Sequence, residues 1–225
     1  MIRTTIIGAA GRMGRMLVAQ IKADRELHLA GAVEFPGCPL LGQDAGLVAG
    51  VGETGVKIVA SLDAALAGTD AVIDFSTPES TLAAAPKAIA AGASLVIGST
   101  PLTAEHRAAL KALADRGGRI LATPNMSVGI NLLFALCAKV APILGEDYDI
   151  EVVEMHHNRK KDAPSGTAVR LGEILAQATG RDYAKDAVHG RVGLVGARTR
   201  REIGMHALRG GDVVGDHTVI FAADG

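Results

Sequence analysis

The sequence predicts an α/β protein: an N-terminal, Rossmann-like, doubly wound parallel sheet followed by a second α+β domain. Three observations carry that reading. Short apolar runs alternate with helix-spaced amphipathic stretches through roughly the first hundred residues. The pattern changes after Pro124-Asn125. Glycine contributes 28 of the 225 residues, about 12% against a usual level of roughly 7%, so many positions need bare backbone.

The first half reads element by element. Thr4–Gly8, His28–Glu34, Val56–Ala60, Ala71–Phe75, Ser94–Gly98 and Arg119–Ala122 are short, rich in Val, Ile and Leu, and bounded by Gly, Pro, Asp or Thr, as strands are. Between them Arg12–Ala23, Pro78–Ala91 and Thr103–Arg116 carry apolar residues at helical spacing, the last opening on an N-cap at Thr103 and stopping at Gly117-Gly118. Strands alternating with helices require crossover connections, hence a parallel sheet covered on both faces. Beyond residue 125 follow a long helix, Val128–Leu144, a strand with alternating polarity at Tyr148–Met155, a helix at Thr167–Thr179 and a glycine-rich segment with strand-like pieces such as His217–Ala222. Domains of residues 1–125 and 126–225 are expected.

Composition narrows the function classes. A chain that is 48% hydrophobic can bury a sizeable core, which excludes disorder. A net charge of −1 and 3% aromatic residues give neither the basic footprint nor the stacking platforms of a nucleic-acid binder. Cys38 and Cys137 lie too far apart for a CxxC pair and read as reduced thiols. No signal-peptide layout precedes the first strand, and the stretch Leu132–Leu144, cut by Lys139 and Pro142, reads as too short to span a bilayer. A cytoplasmic protein without membrane or nucleic-acid partners is expected, and no metal site.

Gly8-Ala9-Ala10-Gly11-Arg12-Met13-Gly14 follows a strand and opens a helix, the context of a dinucleotide loop. Its spacing is G-x-x-G-x-x-G, a weaker signal alone than G-x-G-x-x-G. Glu34, twenty residues after Gly14 at the end of the second strand, supplies the acid expected to hydrogen-bond a ribose hydroxyl. That carboxylate would repel a 2′-phosphate, so NADH is favoured over NADPH. Phe75-Ser76-Thr77-Pro78, Gly98-Ser99-Thr100 and Thr123-Pro124-Asn125-Met126 follow other strand ends, the edge where open α/β sheets bind ligands.

The run Glu154–Ala168 joins a strand to a helix and packs His156, His157, Arg159, Lys160 and Lys161 into six residues. Such density focuses an anion. Pro164 suits a first helical turn, and the N–H groups of Ser165, Gly166 and Thr167 then form a carboxylate site. A lysine near one carboxylate and backbone donors near another suit a small dicarboxylate, pointing to a reductase of an anionic substrate. Open alternatives are a dehydrogenase of another small dicarboxylate and a non-catalytic dinucleotide-binding or sensory protein.

Residues 154–168 match every fixed position of E-x-H-H-x-x-K-x-D-A-P-S-G-T-A, and in this the chain resembles the 4-hydroxy-tetrahydrodipicolinate (dihydrodipicolinate) reductases of lysine and diaminopimelate synthesis. The Gly8–Gly14 loop, Asp74-Phe75, Gly98-Ser99-Thr100 and residues 125–131 resemble the family in the same order. The resemblance implies His156 and Lys160 as the proton-transferring residues and His157, Ser165, Gly166 and Thr167 as substrate contacts. It implies Gly8, Ala9, Ala10, Gly11, Arg12, Met13, Glu34, Gly98, Ser99, Thr100, Thr123, Pro124, Asn125 and Met126 as contacts of NADH or NADPH, and a homotetramer assembled through the second domain. Surrounding cations are expected to lower the pKa of Lys160. Two departures stand out. Phe35 occupies the position after the ribose acid where some members carry arginine, and family chains continue for some tens of residues past Ala223-Asp224-Gly225, so a truncated second domain is expected.

Overall fold

The computed structural model describes residues 1–224 and divides into two compact units, one of residues 1–124 and one beginning at Asn125. In chain order the first unit contains β1 (Ile2–Ile7), α1 (Arg12–Ala23), β2 (Leu27–Val33), α2 (Ala45–Val48), β3 (Ile58–Val59), α3 (Leu62–Ala65), β4 (Ala71–Asp74), α4 (Pro78–Ala90), β5 (Ser94–Ile97), α5 (Ala104–Asp115) and β6 (Ile120–Ala122). Its six strands run in the order β3-β2-β1-β4-β5-β6, every neighbouring pair parallel. The order reverses between β1 and β4, which places a ligand crevice at the carboxyl ends of those strands.

Alternation along β1 explains the two covered faces. Ile6 packs with Val18 and Ile21 of α1, whereas its neighbour Ile7 joins Ala84, Ala85 and Ala88 of α4. Helix α4 starts on the Thr77 side chain, which accepts from the Ser80 N–H, with Pro78 in the first turn. Helix α5 starts on a capping box in which Thr103 and His106 satisfy each other's backbone N–H groups. β3 is shorter than the expected Val56–Ala60 because only Ile58 and Val59 pair with β2.

The second unit contains α6 (Val128–Leu144), a 3₁₀ turn at Gly145–Asp147, β7 (Asp149–His156), α7 (Gly166–Ala178), α8 (Tyr183–Asp186), β8 (Ala187–His189), β9 (Ile203–Arg209) and β10 (Asp216–Ala222). Its sheet has the order β10-β7-β9-β8, with β10 antiparallel to β7 and the other pairs parallel. β7 is therefore central. Ile150 and Val152 bury one face of it against Leu171 and Leu175 of α7, and Cys137 and Ala141 of α6 complete that core.

One expectation is corrected here. Helix α6 runs through Lys139 and Pro142 without interruption, and with the following turn forms a 20-residue segment long and apolar enough to cross a membrane by length and composition. Within the second unit it is instead a packing helix with one buried face, while Val128, Leu132, Leu136 and Ile143 are exposed.

Candidate active site

The first unit holds the predicted cofactor residues from Gly8 to Pro124, while Asn125 and Met126 open the second. Gly8 turns at φ +81°, and a Cβ there would lie 2.7 Å from the Phe75 carbonyl oxygen; a Cβ on Gly14 would overlap the carbonyl of Gly8. Bare backbone is thus required where the loop folds onto the start of α1 and onto the end of β4. Gly8, Ala9 and Gly14 are buried, whereas Gly11, Arg12 and Met13 face outward at the helix start. Glu34 bends back over this loop, one carboxylate oxygen accepting the Ala10 N–H at 3.0 Å and the other the Phe35 N–H at 3.2 Å. Ser99 is buried and Thr100 exposed at the end of β5, and the Thr123 N–H donates to the Ile97 carbonyl at 3.3 Å.

Asp74 binds these strand ends together. Fully buried at the end of β4, its Oδ1 accepts the Ser76 N–H at 2.9 Å, the Ser76 hydroxyl and the Ser99 hydroxyl at 3.2 Å, and its Oδ2 accepts the Thr81 hydroxyl at 2.6 Å. All of these donors are uncharged.

The second unit gathers the expected proton-transfer and substrate residues around the loop between β7 and α7. His156 closes β7 with its Nδ1 2.6 Å from Glu154 Oε2. His157 is half-buried, and its Nδ1 is buried without a hydrogen-bond partner. The Lys160 ammonium donates to both oxygens of Asp162 at 2.9 and 2.8 Å. An ion pair thus holds this ammonium amid the neighbouring cations, and its 19% exposed side chain is the less accessible partner.

The start of α7 also differs in detail. Ser165 is the N-cap, so Pro164 precedes the helix rather than occupying its first turn. The Ser165 N–H is taken by Glu154 Oε1 at 3.0 Å, and its Oγ accepts the Ala168 N–H at 3.2 Å while lying 3.0 Å from His217 Nε2. Ser165 therefore organises the turn, and the N–H groups of Gly166 and Thr167, without acceptors inside the helix, are those left for an anion. Asn125 Nδ2 donates to Thr167 Oγ1 at 3.1 Å, which joins a residue expected at the cofactor to the first turn of α7.

Glu154, Arg209, His217 and Asp74 went unassigned in the sequence reading. Glu154 is 1% exposed and receives both terminal nitrogens of Arg209, at 2.8 and 2.9 Å. Burial pushes its carboxyl pKa up, but Arg209, His156 and the Ser165 N–H outweigh that and hold it below the ordinary range. Burial, aided by the charge of His156, pushes His217 below its ordinary value. Among the described residues no group of His, Cys, Asp and Glu side chains is placed to hold a metal.

Two family models match the chain end to end: dihydrodipicolinate reductase, N-terminus, over residues 2–126, and dihydrodipicolinate reductase, C-terminus, over residues 129–225. The chain belongs to the dihydrodipicolinate reductase family. Relatives named 4-hydroxy-tetrahydrodipicolinate reductase include those of Syntrophotalea carbinolica, 52% identical, and Geobacter sulfurreducens, 49% identical. Each alignment covers 100% of this chain and 84% of the relative. The fold is also that of the dipicolinate-bound dihydrodipicolinate reductase from Paenisporosarcina sp. TG-14, with TM-score 0.71 at 23% identity, over 100% of this chain and 84% of that one. The WlbA dehydrogenase from Thermus thermophilus, in complex with NAD and UDP-GlcNAcA, is similar over the same shares with TM-score 0.59 at 17% identity.

Proposed function

We propose that the protein reduces 4-hydroxy-tetrahydrodipicolinate to tetrahydrodipicolinate in lysine and diaminopimelate synthesis, using NADH in preference to NADPH. The observation that carries this reading is the β7–α7 loop, which gathers two histidines, a lysine and a helix N-terminus in a family of that name.

The first unit fits a dinucleotide. The loop from Gly8 to Met13 has no room for a Cβ at Gly14, and outward backbone at the start of α1 suits a pyrophosphate. Glu34 retains lone pairs for ribose hydroxyls after accepting the two backbone N–H groups. Gly98, Ser99, Thr100, Thr123 and Pro124 continue the rim at the strand ends of this unit, and Asn125 and Met126, at the start of the second, are taken as further cofactor contacts. Phe35, 61% exposed, supplies no cation for a 2′-phosphate, and Glu34 opposes one. Once the substrate's hydroxyl has left as water, a bound nicotinamide would supply the hydride to the unsaturated ring carbon.

The protein's own groups then hold the substrate and move a proton. His157, Gly166 and Thr167 hold a carboxylate, with Ser165 fixing the turn that presents them. The Lys160 ammonium, aimed by Asp162, donates a proton to the carbon that would otherwise accumulate negative charge, and His156 assists that transfer. Residues 1–125 serve the cofactor, and residues 126–225 serve substrate and assembly. A homotetramer fits the outer face of the second sheet, where Leu208 and Ile220 are exposed. The protein acts in the cytoplasm.

A steady-state assay with enzymatically generated substrate tests this by following NADH and NADPH oxidation in parallel. Turnover with a higher kcat/KM for NADH is expected. No turnover by folded protein sinks the reductase, and a strong NADPH preference sinks the role given to Glu34.

A further inference from the structure

Four donors meet the two oxygens of one buried carboxylate in the second unit. On Oε2 converge His156 Nδ1 at 2.6 Å and an Arg209 nitrogen at 2.8 Å; on Oε1, the second Arg209 nitrogen at 2.9 Å and the Ser165 N–H at 3.0 Å. From this geometry we infer that Glu154 is a positioning residue for the reaction, fixing His156 with its proton on Nδ1 and tethering the first turn of α7 through the same side chain.

The argument is one of acceptor capacity. Arg209 supplies a permanent charge in bidentate contact, so Glu154 stays ionised in a site that is closed to solvent. An ionised carboxylate only accepts, and the imidazole nitrogen facing it must therefore carry a hydrogen. That leaves Nε2 as the nitrogen that takes or gives up a proton. The ring is packed as well as hydrogen-bonded. His217 meets it edge-on with ring centroids 5.2 Å apart, and the Gly215 backbone lies close enough to Nε2 that a Cβ on that residue would stand 2.8 Å from it. The side chain of His156 is only 12% exposed. The Glu154–Arg209 pair is neutral as a unit, so the positive charge of the loop is left to the residues that face a dianion. The same carboxylate sets the height of Ser165, and with it the Gly166 and Thr167 N–H groups. One residue thus ties the proton-transfer end to the carboxylate-binding end.

This inference rests on the reductase reading, and two measurements keep their failures apart. The first needs no turnover: 15N-histidine spectra of the whole protein at a pH where the ring is neutral, with the His156 signal identified by its loss in His156→Gln. The Nδ1–H form is expected, and a dominant Nε2–H form overturns the inference whether or not the protein is active. The second is kinetic. Glu154→Gln keeps the volume but replaces one acceptor oxygen with a donor, so either His156 and one Arg209 nitrogen or Ser165 and the other Arg209 nitrogen lose their acceptor. With wild-type protein active, kcat is expected to fall about ten- to a hundredfold, in line with loss of an orienting partner. Substrate KM should rise several-fold, with KM for NADH unchanged and the Nδ1–H signal reduced. A variant with kcat within about twofold of wild type and the same imidazole spectrum overturns the inference. If Glu154→Gln does not fold, the wild-type spectrum alone decides.

Discussion

Asp74 in the first unit and Glu154 in the second are both shut off from solvent near the end of a strand, yet their partners differ in kind. Asp74 is surrounded by the hydroxyls of Ser76, Thr81 and Ser99 and one backbone N–H, so it pins two strand-end turns without bringing any cation to the rim. Glu154 is bound by Arg209, His156 and a helix-start N–H, so its charge is cancelled where a cation-rich loop must stay cation-rich. On the proposed function, the difference teaches how each half would meet an anion. Around the glycine loop the donors are backbone dipoles held in place by neutral contacts; in the β7–α7 loop the helix-start N–H groups are joined by charged side chains, whose surplus survives because the buried carboxylate has its own arginine.

The largest effect should come from removing the charged chemistry itself. Lys160→Ala or His156→Ala is expected to lower kcat by about 10²- to 10⁴-fold, the range typical of lost general acid–base catalysis. Full activity in Lys160→Ala would remove it as the acid. A smaller effect, on stability, is expected in the other unit. Asp74→Ala strands several buried donors, which costs about 1–3 kcal/mol by denaturant titration, with weaker NADH binding. Unchanged stability would mean that the hydroxyls repartner and that Asp74 does not hold the rim.

The smallest effects are those of pH on stability, and two groups of the second unit illustrate them. His217 titrates below its ordinary 6.5 because it is buried beside His156, so the unfolded chain takes up that proton first and stability falls as pH drops below 6.5. Glu151, on the same sheet, is pushed up by burial but pulled down further by Arg191, His206 and Arg198, to about 2 from 4.5. Its stabilisation is complete above pH 4.5 and is lost as pH falls toward 2. A thermal melting series should show both declines, and His217→Gln should remove only the first.

The elements with several turns of helical period were legible in the sequence: α1 spans Arg12–Ala23 and α6 spans Val128–Leu144, as their spacing predicts. The four-residue helices α2, α3 and α8 were not, because one turn carries no period. The β7–α7 loop was conspicuous as charge, but its wiring was hidden. Arg209 lies 55 residues from Glu154, and no local pattern announces that pairing. Asp162 lies only two residues from Lys160, yet spacing alone does not say that the two side chains pair. The Asp74 contacts reach Ser99, 25 residues on, and become visible only once β4 and β5 are side by side.

The proposed division between a cofactor half built on backbone and a substrate half built on charge is tested most directly by titrating NADH into a His156→Ala/Lys160→Ala double variant. Turnover should be abolished while the dissociation constant for NADH stays within about twofold of wild type. Loss of NADH binding along with turnover would contradict the account.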